Sequence, residues 1–205
     1  VQKKFVNKLN SCKNPLIICG GEKVERHNKN TIIKISKKLN APIIADPISN
    51  IRYNSNHENI IPHFDLFWKH VKIKPDLIIR FGFKPTSKSL CEFIDKNQSI
   101  TYHVDITDGF NDNKANILVS NQNAILNLIK NDNSNTKWMK LFKKNGHDLG
   151  EIIKKSKPSN ESLIPLTCIN HLKNKETLIV GSSMPIRDLD RFASNSINKE
   201  ITLYS

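Results

Sequence analysis

The chain repeats one pattern of apolar and polar positions. A short apolar run is followed by a turn signal, and then by apolar residues at helical spacing. "PLIICGGE" (15–22) reads as a strand ending in Gly20-Gly21, and "NTIIKISKKLN" follows with Ile32, Ile33, Ile35 and Leu39 on one helical face. "APIIADP" (41–47) is the next strand, closed by Pro47. The segment from Ile61 to Val71 predicts a helix that buries Phe64, Phe67 and Trp68. "PDLIIRFG" (75–82), a helix from Ser87 to about Lys96, and "SITYHVDI" (99–106) continue the series. These strands are continuous runs rich in β-branched residues, as expected where helices cover both faces of a parallel sheet. The alternation predicts an α/β fold, doubly wound around a mainly parallel sheet.

The same pattern organises the remainder. "ANILVS" (115–120) predicts a short strand and "NQNAILNLIK" a helix, and a long helix begins at Thr136 with Trp138, Leu141, Phe142, Leu149, Ile152 and Ile153 as its apolar stripe. "KKSKPSNES" (154–162) has no periodicity and reads as a linker. Beyond it come a helix in "LIPLTCINHL", a strand in "TLIV", a helix in "PIRDLDRFA" and a strand in "ITLYS". One complete α/β domain plus the opening βα part of a second is the expected organisation.

Composition narrows the function classes. With 38% hydrophobic residues among 205, the chain can build a core. No stretch approaches the roughly 20 apolar residues of a membrane span, and "VQKKFVNKLN" lacks the apolar centre of a signal peptide. A cytoplasmic or organelle-stroma location is therefore expected. Cys12, Cys19, Cys91 and Cys168 are scattered and predict buried, reduced thiols. The net charge of +13 raises nucleic-acid binding, but the basic residues are mostly lysines spread along a chain also rich in Asn and Ile. Composition rather than a nucleic-acid partner accounts for that charge.

Most candidate motifs reduce to structure. Gly20-Gly21 lacks the G-x-G-x-x-G of a dinucleotide loop and reads as a tight turn, with a nucleotide-binding or regulatory module as the alternative. His57 and His63 share a loop without a second ligand pair, so no metal site is predicted. Asp105 and Asp108 around "TDGF" read as turn formers. Two stretches remain. In "RFGFKPTSKSL" (80–90), Thr86 or Ser87 can cap a helix whose first turn carries Lys88. In "VGSSMPIRDLD" (180–190), Ser182 and Ser183 precede Pro185, and Arg187 lies in the first turn. Both place a cation where the helix end is already positive, just beyond the carboxyl end of a parallel strand, and free amides plus a cation suit an anion. The bland reading pairs Arg187 with Asp188 or Asp190. Ile186, Leu189 and Ala193 should pack against the sheet.

"VGSSMPIRDLDRF", together with "RFGFKPTSK" and "PIIADPISNIR", resembles the 2-succinyl-5-enolpyruvyl-6-hydroxy-3-cyclohexene-1-carboxylate synthase family of menaquinone and phylloquinone biosynthesis. The resemblance covers essentially the whole chain. It implies a Rossmann-like central domain without nucleotide over residues 1–155, and a linker with the start of a diphosphate-binding domain over 156–205. It also implies a thiamine-diphosphate- and Mg²⁺-dependent transferase, homodimeric or homotetrameric when full-length, that decarboxylates 2-oxoglutarate and adds the succinyl unit to isochorismate. Lys88, Ser183 and Arg187 match the family's substrate-contacting positions, while Ser182 departs from a common Asn and Arg52 matches a position with no role assigned. No catalytic, cofactor or metal residue is implied within these 205 residues, since G-D-G is absent, and the fragment alone is expected to be inactive.

Overall fold

A computed structural model of the chain describes residues 3–21, 28–53, 57–105, 116–130, 132–133, 135–156, 160–193 and 199–205. The order of elements is α1 (Lys3–Ser11), β1 (Pro15–Cys19), α2 (Lys29–Leu39), β2 (Ile43–Ala45), α3 (Phe64–Phe67), β3 (Leu77–Phe81) and α4 (Lys88–Lys96). Then follow β4 (Thr101–Asp105), β5 (Asn116–Val119), α5 (Gln122–Leu128), α6 (Thr136–Lys155), α7 (Asn160–His171), β6 (Thr177–Ile179), α8 (Met184–Phe192) and β7 (Thr202–Tyr204). Five strands form one parallel sheet in the order β2-β1-β3-β4-β5, and β6 and β7 form a second parallel pair. The first order reverses direction between β1 and β3, as in doubly wound sheets.

Strand alternation divides the core in two. Ile17 and Cys19 point into a layer with Phe5, Leu9, Ile32, Ile35 and Leu39, so α1 and α2 cover that face. Leu16 and Ile18 point the other way, towards Phe64, Phe67, Trp68, Phe93, Trp138 and Phe142 from α3, α4 and α6 and the residue after α3. Both faces of β1 are thus buried, which is why its sequence is continuous in apolar residues. A third cluster gathers Ile169, Ile186, Leu189, Ala193, Ile201 and Leu203 around the small sheet, and joins it to Tyr53 and Ile48 from the chain just after β2.

Several expectations change at their edges. The helix expected over 61–71 contracts to the single turn of α3, because Pro62 has no amide hydrogen and His63 sits at φ 60° directly before it. Its aromatic residues are nevertheless buried. On α6, Ile152 is 60% exposed and leaves the expected stripe, whereas Trp138 and Phe142 are buried. The region read as a linker begins inside α6 and ends inside α7, with 157–159 outside the described residues. α1 forms from a segment with no predicted element, on the strength of Phe5 and Leu9 one turn apart. Asp108 and the rest of "TDGF" lie outside the described residues. No helix of the described chain is long and apolar enough to cross a membrane.

Candidate functional site

The carboxyl ends of β1, β2 and β3 and the first turns of α4 and α8 define the region where the sequence places its cations. At the switch point, the backbone packs against itself. Gly20 donates to the Phe81 carbonyl at 2.9 Å, and Phe83 donates to the Gly21 carbonyl at 2.9 Å. A Cβ on Gly20 would lie 1.8 Å from the Phe83 carbonyl oxygen, and Gly82 turns the chain at φ 74°. Glycine is therefore required here for the close approach of the Phe83 backbone to the end of β1.

Asp46, at the end of β2, organises the loop that leads to Lys88. Its carboxylate accepts from the Thr86 amide at 2.6 Å, the Thr86 hydroxyl at 2.8 Å and the Ile48 amide at 3.1 Å. Ser87 caps α4 by accepting from the Leu90 amide at 2.9 Å, as its sequence position predicts. Lys88 follows at the first position of α4 and is exposed.

α8 begins differently. Ser183 occupies the N-cap position at φ 78°, ψ −120°, and its hydroxyl caps no amide. Its backbone lies outside the extended region that an N-cap ordinarily adopts, and the hydroxyl makes no bond to the third helical amide, that of Ile186. The Ser183 hydroxyl instead accepts from Arg187 Nη2 at 3.3 Å, and the Met184 sulfur lies 3.1 Å from the same nitrogen. Arg187 Nε is buried without a hydrogen-bond partner. Among the described residues Arg187 makes no ion pair. Asp188 lies 4.0 Å from Arg191 Nη1, and Asp190 pairs with Arg52. The local acids that the bland reading would assign to Arg187 are thus taken by other cations.

Ile186, Leu189 and Ala193 are buried as expected. Beside the first turn of α8 lies a cavity of about 420 Å³ walled by Cys168, Leu178, Val180, Gly181, Met184 and Pro185.

The structure brings Ser183 and Arg187 into contact. It does not join Lys88 to either of them by a hydrogen bond or ion pair among the described residues. The two loops are linked one residue away: the Ser87 hydroxyl donates to Asp65, and Asp65 lies 3.7 Å from Arg191 Nε on α8. His63 reinforces this link by donating from Nδ1 to the Arg191 carbonyl at 2.6 Å. Burial lowers His63 to about 4, so its ring is neutral. Asp46, Asp65, His63 and the role of Arg52 are not apparent from spacing alone. The one available signal is "ADP", in which an Asp before Pro can cap the turn that follows.

Arg52 is 3% exposed. Its guanidinium donates to the Asp190 carboxylate, to the Asp190 carbonyl at 2.8 Å, to the Ala193 carbonyl at 3.0 Å and to the Ala45 carbonyl at 3.4 Å. Burial lifts Asp190 to about 6, opposed by Arg52 and assisted by the carboxylates of Asp46 and Asp65.

No family model matches the chain. Individual proteins do. A 2-succinyl-5-enolpyruvyl-6-hydroxy-3-cyclohexene-1-carboxylate synthase of Bacillus pumilus is 31% identical over 92% of this chain and 35% of its own length. Synthases of the same name from Oceanobacillus iheyensis and Lactococcus lactis subsp. cremoris are 28% and 30% identical over 90% and 85% of the chain, and 34% and 33% of their own lengths. The chain spans about a third of the length of the curated relatives it matches. With its doubly wound parallel sheet, the chain is related to the 2-succinyl-5-enolpyruvyl-6-hydroxy-3-cyclohexene-1-carboxylate synthases along nearly all of its own length and about a third of theirs.

Proposed function

We propose that these 205 residues are a portion of a thiamine-diphosphate-dependent synthase that decarboxylates 2-oxoglutarate and adds the succinyl unit to isochorismate, in menaquinone or phylloquinone biosynthesis. In this reading residues 1–155 are the central domain and 156–205 open the diphosphate-binding domain. The observation that carries it is Arg187. Its guanidinium sits at the amino-terminal turn of α8, braced by Ser183 and free of acidic partners among the described residues. A cation against a positive helix end is offset by a ligand carboxylate, and both proposed substrates are dicarboxylates.

Arg187 binds that carboxylate through charge-assisted hydrogen bonds. Ser183 holds the guanidinium in place and offers its hydroxyl alongside. Lys88, exposed at the start of α4, acts as a longer-range point charge that draws dianionic substrates towards the cleft. The chain's own part in the reaction is to bind and orient.

The contacts to the cofactor and its metal are not carried over to any residue of this chain. Among the described residues no group of three or more His, Cys, Asp or Glu side chains gathers to hold a metal ion. Those contacts are assigned to the rest of the larger protein, and the fragment alone is expected to show no turnover. In the full-length enzyme Arg187→Ala lowers kcat/KM for 2-oxoglutarate by about 2 to 4 kcal/mol of transition-state stabilisation. Steady-state kinetics check this, and a loss below about tenfold overturns the carboxylate role.

A further inference from the structure

We propose that Arg52 is a positioning residue: from the loop after β2 it clamps the carboxyl end of α8, and through that helix it sets the place of Ser183 and Arg187. The proposal rests on the reading that these two residues meet the substrate.

The argument starts from what the guanidinium touches. The last carbonyls of a helix have no partner within it, and the Asp190 and Ala193 carbonyls are of this kind. Arg52 Nη2 donates to both, at 2.8 and 3.0 Å, so one nitrogen satisfies two orphan acceptors. Nη1 donates to the Asp190 side chain and to Ala45, the last residue of β2. A single buried side chain therefore ties the end of a strand in the large sheet to the end of a helix packed on the small one.

A cation is favoured at this end of a helix by the same field that disfavours Arg187 at the other. The two arginines lie at opposite poles of one nine-residue helix. Such a helix moves as a rod, and Arg187 is only one turn from Asp190, so a shift at the clamped end is carried to the anion-facing end. Arginine suits the task because its planar fork reaches several acceptors at once, whereas lysine presents a point charge.

The test has two arms. In the 205-residue chain, hydrogen exchange of Arg52→Met is compared with the parent. Exchange over 184–192 should accelerate by at least about tenfold while β1 and β3 keep their protection. Unchanged protection of α8 overturns the clamp, and this arm does not depend on the substrate reading.

In the full-length protein, Arg52→Met is compared with the double variant Arg52→Met/Asp190→Leu, which leaves no buried unpaired carboxylate and should recover much of the stability. If the single variant does not fold, the double variant carries both comparisons. A positioning role predicts KM for 2-oxoglutarate raised by at least about tenfold in either variant, even where Tm returns to that of the parent. KM restored together with Tm means that Arg52 only stabilises, and the positioning role falls. Arg187→Ala serves as the control. If its kinetics match the parent's, the substrate reading and the functional half of this proposal both fail, while exchange over α8 still decides the clamp.

Discussion

Ser183 holds a backbone conformation, φ 78° and ψ −120°, that a side chain with a Cβ rarely adopts and that costs roughly 1 to 3 kcal/mol. Nothing in the cap repays it, since the hydroxyl bonds no amide. The hydroxyl bonds Arg187 instead, so the strain serves the guanidinium rather than the helix. Ser183→Gly should therefore raise stability by about 1 kcal/mol in a chemical denaturation curve and, in the full-length enzyme, lower kcat/KM for 2-oxoglutarate. A variant that gains neither stability nor loses activity would show the conformation to be incidental. The identity of this residue was visible in "GSSMPIRD"; its strain was not, because a positive φ depends on how the chain enters α8 from β6. Arg52 is the converse case. The sequence assigned it no role, and only the tertiary structure shows it 3% exposed.

At the scale of elements, α4 and α8 share one sequence pattern and differ in what their first turns do. Ser87, in an extended N-cap conformation, caps α4 through the Leu90 amide, whereas Ser183 at positive φ makes no such bond in α8. The strand ends show a similar contrast. Gly20 and Gly21 could have been a phosphate loop on sequence, yet in the fold the close approach is made by the chain's own Phe83. Gly20→Ala places a methyl group 1.8 Å from a backbone oxygen, which cannot rotate away. We expect a loss of more than about 3 kcal/mol, read from the urea midpoint. A loss below about 1 kcal/mol would mean that the β3–α4 loop yields readily and that the turn is open to a ligand. The strands themselves were legible because residues of both faces are apolar, as Leu16 and Ile17 illustrate in adjacent positions. α3 was overextended because periodicity continues past Trp68, while His63 at φ 60° prevents an earlier start.

Across the whole molecule, the small sheet and α8 are held to the large sheet by Tyr53 in a shared cluster, by Arg52, and by His63. His63 makes that junction sensitive to acid. Burial lowers it to about 4 in the folded chain from an ordinary value of 6.5. Below 6.5 the unfolded chain takes up the proton first, so the contribution is complete above 6.5 and is lost as pH falls towards 4, by about 3 kcal/mol. Asp190 acts in the opposite sense. Raised to about 6, its contribution is complete below 3.8 and is lost as pH rises through 6. His63→Gln keeps a donor for the Arg191 carbonyl and removes the titration, so the variant should gain on the parent by about 2 to 3 kcal/mol between pH 7 and 4.5, measured by denaturation at each pH. Parallel pH profiles would exclude His63 as the cause. The amino-acid sequence alone determined the α/β alternation, the two cationic first turns and the kinship with the synthases, because periodicity, capping grammar and motif order are local properties of the chain. Only the tertiary structure decided that Arg52 grips α8, that Asp190 pairs with Arg52 rather than with Arg187, and that the Phe83 backbone packs against Gly20. Those facts depend on which distant segments meet, and burial rather than sequence spacing sets the partners of a charge.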